Sequence, residues 1–345
     1  MTKCEICELE GLGDCNTCSL VEHSGGDIDD YVYRTEYLYS QINNLIKDEE
    51  VYPVCVPSYN RPNALLLRYA DKLPMVLFIR REQEQIYSAY KEKCTIVLLD
   101  NVFDIGTTRA AIVDWAWKNG YENIFMLDDD ITNGDFMVPG IGEKSGKDFM
   151  KAYRTVNDIP ESVEMWFFKM WIWLINHCDS KLTLSSPGTR GDNWSIDNMN
   201  KPVRYNSGAA ISCIHLNVKN LMENNINYAS NSLEGAEDYA LQYKIMSEGL
   251  FCCVFKDLLF RVPGVGSGKG GNVAERKQLE RRYHKFIQLF NDNVLDKCNA
   301  DKVGTKISRG GIPSIRFIWS RWRVQEDEMM WNAMTVDKEV KEGVV

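Results

Sequence analysis

The feature that most constrains this chain is an alternation that starts at residue 51. An apolar run (51–59) is followed by a helical stretch (62–72), a strand-like run (75–80), a second helical stretch (82–92) and a run at 95–99. A helix over about 107–119, closed by Gly120, and a further run at 123–127 complete the series. Short runs apolar on both faces and joined by crossovers predict an α/β fold built on a doubly wound, mainly parallel sheet. Its ligand crevice is expected beyond the carboxyl ends of the strands. Residues 204–218 read again as sheet, about 236–248 as a helix ended by Gly249, and 250–262 as a last strand. The stretch between is less regular, although Trp166, Met170 and Trp173 share one helical face and suit a core. The 345 residues exceed one ordinary domain, and three parts are expected: a cysteine-rich segment and linker (1–30), the α/β core (31–262) and a basic lid or helical region (263–345).

On this topology the residues just after each strand carry the chemistry. They are Pro57-Ser58-Tyr59-Asn60-Arg61-Pro62, Asp100-Asn101 and Asp128-Asp129-Asp130. Three adjacent carboxylates repel one another unless a cation joins them. Oxygen-only ligands suit Mg²⁺ or Mn²⁺ shared with substrate phosphates, and strand alternation lets Asp128 and Asp130 face one side. The competing reading is an acidic surface loop. Gly106-Thr107-Thr108-Arg109 opens the crossover helix as an anion site, or its threonines simply cap it. Together with the acidic strand end it supports a nucleotide diphosphate lying across the sheet. Glu237-Asp238 begins a later helix, where acids suit the helix dipole or place a general base. Trp194, in the polar run Gly191-Asp192-Asn193-Trp194-Ser195, reads as a stacking platform or lid residue.

Charge is unevenly placed. Within a net −9, residues 261–323 hold 14 Lys and Arg against 5 Asp and Glu, a local +9 that leaves −18 elsewhere. Interleaved with Tyr283, Phe286, Phe290, Phe317, Trp319 and Trp322, this block has the composition of a nucleic-acid surface, with Arg276, Arg282 and Lys285 as candidate contacts; a solvated helix face is the alternative. The glycine-rich run 264–271 is not a phosphate-binding Walker loop, because Pro263 and Gly270 stand where that motif needs Gly and Ser or Thr. Gly266-x-Gly268-x-x-Gly271 lacks the βαβ context of a dinucleotide fingerprint, so a lid or phosphate-contacting loop is expected.

At 44% apolar and 26% charged, the composition excludes a disordered or collagenous chain. The longest nearly apolar run, 165–175, contains Lys169 and falls short of the roughly 18 residues of a membrane span, so no membrane partner is expected. The N-terminus has neither a signal-peptide core nor an Arg-rich transit face, and a cytoplasmic location is expected. There, Cys4-x-x-Cys7 and Cys15-x-x-Cys18 read as two knuckles closing a tetrahedral structural Zn²⁺ site, with His23 as a substitute ligand.

Taken together, these residues resemble the GT-A class of nucleotide-sugar glycosyltransferases over about residues 51–262. Val54-Cys55-Val56-Pro57-Ser58-Tyr59-Asn60-Arg61 is similar to its first strand and nucleotide-binding turn, Asp128-Asp129-Asp130 to its DxD metal motif, and Glu237-Asp238 to its catalytic acidic pair. Ile105-Gly106-Thr107-Thr108-Arg109, followed by Met126-Leu127-Asp128-Asp129-Asp130-Ile131, most resembles the TET/JBP-associated glycosyltransferases, found mainly in bacteriophages and associated with hydroxymethylated DNA bases such as hydroxymethylcytosine. The resemblance implies a donor site at Pro57, Tyr59, Asn60, Arg61, Asp100, Arg109, Asp128 and Asp129. It implies Mn²⁺ or Mg²⁺ on Asp128 and Asp130, with Asp130 bridging to the donor diphosphate, Asp128 positioning the ribose or sugar, and Arg109 neutralising donor charge. Asp238, or Glu237, would deprotonate a base hydroxymethyl group in an inverting displacement, reached by DNA bending or by extrusion of the base, with Trp194 or the C-terminal aromatics filling the gap. Transfer to protein or polysaccharide, nucleotidyl transfer on a similar core, and a DNA-binding protein with an inactive core are the competing functions.

One zinc per chain is expected from the paired knuckles. Elemental analysis of protein purified without chelator tests this, and zinc content unchanged by the Cys15→Ser, Cys18→Ser pair would contradict it.

Overall fold

The computed structural model describes residues 46–131, 133–136, 163–189, 203–206, 208–228, 237–261, 303–307 and 313–317. Its central sheet has nine strands: β1 (Val54–Pro57), β2 (Met75–Arg80), β3 (Thr95–Leu99), β4 (Asn123–Leu127), β5 (Asn133–Phe136), β6 (Leu182–Thr189), β7 (Val203–Tyr205), β8 (Cys213–Asn217) and β9 (Phe251–Arg261). They lie in the order β3-β2-β1-β4-β8-β6-β9-β5, with β7 also on β9. The pairs β2–β3, β1–β2, β1–β4 and β6–β9 are parallel, while β8 joins β4 and β6, and β5 and β7 join β9, antiparallel. Six strands therefore run one way and β5, β7 and β8 the other, a mixed, mostly parallel α/β sheet consistent with the GT-A fold.

Side-chain alternation divides the core between the two faces. Val54, Val56, Leu77, Ile79, Phe125 and Leu127 point to one, and Cys55, Val76, Phe78, Ile124 and Met126 to the other. The first face is covered by α2 (Val163–Asn176), whose residues 166–168 and 170–174 are all buried; Trp171 Nε1 donates to Ser185 Oγ at 3.0 Å. The second is covered by α1 (Ile105–Lys118), α3 (Val218–Glu223) and α4 (Glu237–Ser247), with Ala110, Ile112, Val113 and Ala116 of α1 against the sheet. Gly120, at φ 78°, closes the first crossover where a side chain would be strained. No helix among the described residues is long and apolar enough to cross a membrane.

Four local readings are corrected. The stretches 62–72 and 82–92 form no α-helix: the first holds one 3₁₀ turn, Leu66–Tyr69, and the second two, Arg81–Gln83 and Ser88–Tyr90. Their polar groups bond across the fold: Leu66 N–H donates to Asp129 O, Gln83 Oε1 accepts from Asn60 N–H, and Tyr90 Oη–H donates to Pro62 O. The run 204–218 is two strands, broken between Asn206 and Ser212, both of positive φ (46° and 60°). Inner strand β6 escaped the sequence reading because Thr183, Ser185 and Ser186, polar yet buried, interrupt its apolar pattern. In the region expected to be helical, the described residues form an antiparallel hairpin, β10 (Val303–Ile307) with β11 (Pro313–Phe317). The predicted helix at 272–290 and the four-cysteine cluster lie outside the described residues.

His215 on β8 is fully buried between Tyr52 and Phe125, sharing a 2.9 Å hydrogen bond with Asn123 Oδ1 through Nε2 and leaving Nδ1 unpartnered among the described residues. Burial lowers its pKa from 6.5 to about 3, so the folded protein holds it neutral. Because the folded value lies below the unfolded one, its contribution is complete above the unfolded pKa and is lost as the pH falls through it. At about pH 5.5 this should cost about 1.4 kcal/mol of stability. Urea unfolding at neutral pH and at about pH 5.5 should show His215→Gln to be correspondingly less acid-sensitive; equal sensitivity of both proteins would contradict the assignment.

Candidate active site

The carboxyl ends of β1 and β4, adjacent parallel strands, bring the turn after Pro57 beside the acids after Leu127. Asp129, only 5% exposed, turns inward. Its Oδ2 accepts from Ser58 Oγ–H at 2.7 Å and its Oδ1 from Arg61 Nη1 at 2.9 Å. Since the Ser58 hydroxyl proton goes to Asp129, the 2.8 Å contact to Tyr87 must be donated by Tyr87 Oη–H, which in turn accepts from Arg61 N–H at 2.9 Å. Burial raises Asp129 to about 6, against the pull of Ser58 and Arg61. Asp129, expected as a donor contact, forms an internal tie between the two strand ends. Asp130 lies 3.5 Å from Arg61 Nη1 with its side chain 41% exposed; burial and then Asp128 raise its pKa.

Asp128 faces a second arginine. Arg109 sends Nη2 to Asp128 Oδ1 (2.7 Å) and Nη1 to Glu237 Oε1 (3.1 Å) and Asp238 Oδ1. The side chain of Asp238 is mostly buried, and that burial raises its pKa against the opposing pull of Arg109. Tyr228 lies over the guanidinium at 5.9 Å, its buried hydroxyl unpartnered among the described residues. Arg109, expected to neutralise donor charge, is 4% exposed, its guanidinium enclosed by the protein's own carboxylates. Of the two readings of the start of α1, anion site or cap, the cap is found: Asp104 Oδ1 accepts from Thr107 N–H at 2.7 Å and Thr107 Oγ1 accepts from Asp104 N–H in a capping box. A carboxylate at that helix end repels phosphate.

Further out, Tyr59 is 44% exposed, with the Arg80 guanidinium 4.2 Å from its ring centroid. Arg80 also donates to the carbonyl of Phe103, a residue 78% exposed, and Arg81 makes a two-pronged pair with Asp100 (2.6 and 2.7 Å). Asn60 adopts φ 56° at the turn, and Pro57 ends β1 buried. The structure thus gathers Pro57, Tyr59, Asn60, Arg61 and Asp128–Asp130 at one edge, and Glu237 and Asp238 with Asp128 around Arg109. Trp194, Arg276, Arg282 and Lys285 lie outside the described residues.

Sequence reasoning gave Ser58 no role of its own and missed Tyr87, Gln83, Arg80, Tyr228 and Gln242. Gln242 sits one turn after Asp238 and is fully buried; its Nε2 donates to Ala210 O (3.0 Å) and its Oε1 accepts from Ala210 N–H (3.2 Å). Ser212 in the same segment accepts from Asp128 N–H at 2.7 Å. A glutamine on the apolar face of a helix otherwise lined by Leu241, Ile245 and Met246 is the one signal that pointed to it.

Among the described residues no three ligating side chains converge into a ready-made metal centre. Mg²⁺ and Mn²⁺ do not require one, since a carboxylate or two and substrate phosphates suffice, and Asp128 and Asp130 flanking a buried acid fit that pattern. Five carboxyls here face two arginines, a deficit that a divalent cation redresses.

The sequence matches the family described as TET-Associated Glycosyltransferase over residues 52–271. No curated protein matches. Solved structures of similar fold include mannose-1-phosphate geranyltransferase from Thermus thermophilus (14% identity, TM-score 0.35, 68% of this chain and 79% of that one). GalNAc-T7 with UDP, GalNAc and Mn²⁺ (11%, 0.41, 73% and 51%) and glucosyl-3-phosphoglycerate synthase from Mycobacterium tuberculosis with Mg²⁺ and uridine diphosphate (10%, 0.42, 80% and 90%) are further examples. Likenesses this loose add nothing to the family match. A nucleotide-sugar glycosyltransferase is the class this defines. The chain belongs to the TET-associated glycosyltransferase family.

Tyr87→Phe should unfold more readily in urea by about 1–3 kcal/mol, because Arg61 N–H and Ser58 Oγ lose their shared partner. A change below about 0.5 kcal/mol, the level of an ordinary surface substitution, would mean that the relay holds nothing.

Proposed function

We propose that this glycosyltransferase moves a sugar from its nucleotide-sugar donor to the hydroxymethyl group of a modified DNA base, by a single inverting displacement assisted by Mn²⁺ or Mg²⁺. The observation that carries the reading is the meeting of Asp128, from the metal-type motif, with Asp238, 110 residues later, on one guanidinium. A donor-side acid and a candidate base so joined leave a reacting centre between strand end and helix start.

In this reading Tyr59 and the Arg80 side chain stacked on it present a flat, exposed surface for the nucleotide base, with Asn60 and Asp100 beside it. Asp128 and Asp130 would hold the divalent cation, which when bound supplies positive charge to the leaving diphosphate. Arg61 holds Asp130 in place while fixing Asp129. Asp238 accepts the proton of the attacking hydroxyl: burial strengthens it as a base, while Arg109 pulls the other way and holds the carboxylate in place. Glu237 shares that cation and is the neighbouring acid able to take the role.

The DNA acceptor is supported by the family and by the basic, aromatic-rich residues 261–323, with Arg276, Arg282, Lys285 and Trp194 as proposed contacts. Zinc on Cys4, Cys7, Cys15 and Cys18, the division at residues 30 and 262, and a cytoplasmic location belong to the same reading.

Asp130→Ala should abolish Mn²⁺-dependent donor binding in calorimetry, and Asp238→Asn should lower turnover about 10²- to 10⁴-fold with donor affinity little changed. Wild-type donor binding in the first, or full turnover in the second, would contradict the respective role. DNA affinity should fall steeply with salt as counterions are released; salt-independent binding would favour a different acceptor.

A further inference from the structure

We propose that Arg109 is a positioning residue that fixes the base, Asp238, relative to the donor-side acid, Asp128. The inference rests on the reading above, and assigns Arg109 a part in turnover that is separate from donor binding.

Both terminal nitrogens of Arg109 are engaged, Nη2 by the end of β4 and Nη1 by the first turn of α4. A guanidinium is a rigid plane with its nitrogens at fixed spacing, so a side chain bonded at both ends sets a separation as well as a charge. Its own base is equally firm. The capping box of Asp104 and Thr107 fixes the first turn of α1, and Ala110, Ile112 and Val113 on the next turn are buried against the sheet. The Tyr228 ring closes over the guanidinium. Without this cation, Asp128, Glu237 and Asp238 would stand together in a poorly solvated pocket and repel one another apart.

A further link from the start of α4 converges on the same place. Gln242 clamps Ala210 and also approaches Asp238 O (3.3 Å), while Ser212, two residues on, holds Asp128 N–H. Base and donor-side acid are thus joined along a backbone route through residues 210–212 and a side-chain route through Arg109. The backbone route keeps the helix near the strand. The arginine sets the orientation of the carboxylates themselves.

A residue that orients the base without touching the donor should act on kcat and spare donor affinity. With the nucleotide-sugar and hydroxymethylated DNA that the wild type uses best in a panel of UDP- and GDP-sugars, Arg109→Gln should lower kcat on the order of 10²-fold, the penalty of a misplaced reacting group. Donor Kd from calorimetry should stay within about threefold. Arg109→Lys, which keeps the charge and folds if Gln does not, should be intermediate. In an Asp238→Asn background, Arg109→Lys should cause no further loss, since the group it positions is already gone. Losses that multiply would overturn the proposal while leaving the base assignment standing. Full turnover of Asp238→Asn alone would remove the base assignment and the proposal with it. A tenfold weaker donor Kd with unchanged kcat would show that Arg109 is a donor contact after all, and unchanged kinetics in both Arg109 variants would also overturn it.

Discussion

Carboxylates at the end of a buried strand repel one another, and the site is arranged around that repulsion. Asp128, Asp129 and Asp130 follow β4 without a break, and α4 adds Glu237 and Asp238. Two arginines hold them in two groups. Arg61 takes Asp129 inward and Asp130 toward the crevice, and Arg109 takes Asp128 together with the acids of α4. The removal of one partner from a buried ion pair leaves an uncompensated charge, which costs several kcal/mol, so the strand ends, the turn after β1 and the start of α4 are mutually dependent. The excess of acid over base that remains is of the kind a divalent cation would offset.

Much of this was legible in the sequence. Apolar runs at 75–80, 95–99 and 123–127 became β2, β3 and β4, and Gly120 and Gly249 ended the helices where expected, each at positive φ. The acids were placed correctly at strand and helix ends, because position after a strand follows from topology. What stayed hidden was pairing. Nothing in the local sequence says that Asp129 faces inward, that Arg109 is bound by three acids, or that Thr107 is held by Asp104. Those outcomes depend on partners 68, 128 and 129 residues away, or on which of two capping roles a threonine takes. In the two misread segments short backbone bonds three residues apart stand in place of a continuous α-helical ladder, and Leu66 N–H goes to Asp129 O.

The broken strand run at 204–218 shows how fold and site share one device. Asn206 and Ser212 both take left-handed backbone conformations, which cost non-glycine residues free energy. The Asn206 side chain offsets part of that by accepting from Cys252 N–H at 2.8 Å, and Gln242 and Asp128 bond the backbone between. A continuous strand through these residues would keep the sheet intact but leave α4 without its backbone tie to β4.

The central claim is that this constellation transfers a sugar from a nucleotide-sugar to a modified base in DNA. Its most direct measurement is nucleoside mass spectrometry of hydroxymethylated and unmodified DNA after incubation with the protein, Mn²⁺ and a panel of nucleotide-sugars. The account predicts a hexose-type mass gain on the hydroxymethylated nucleoside alone, with one nucleoside diphosphate released per sugar added. Sugar transfer to protein or polysaccharide with none to DNA, or release of pyrophosphate from a nucleoside triphosphate, would contradict it.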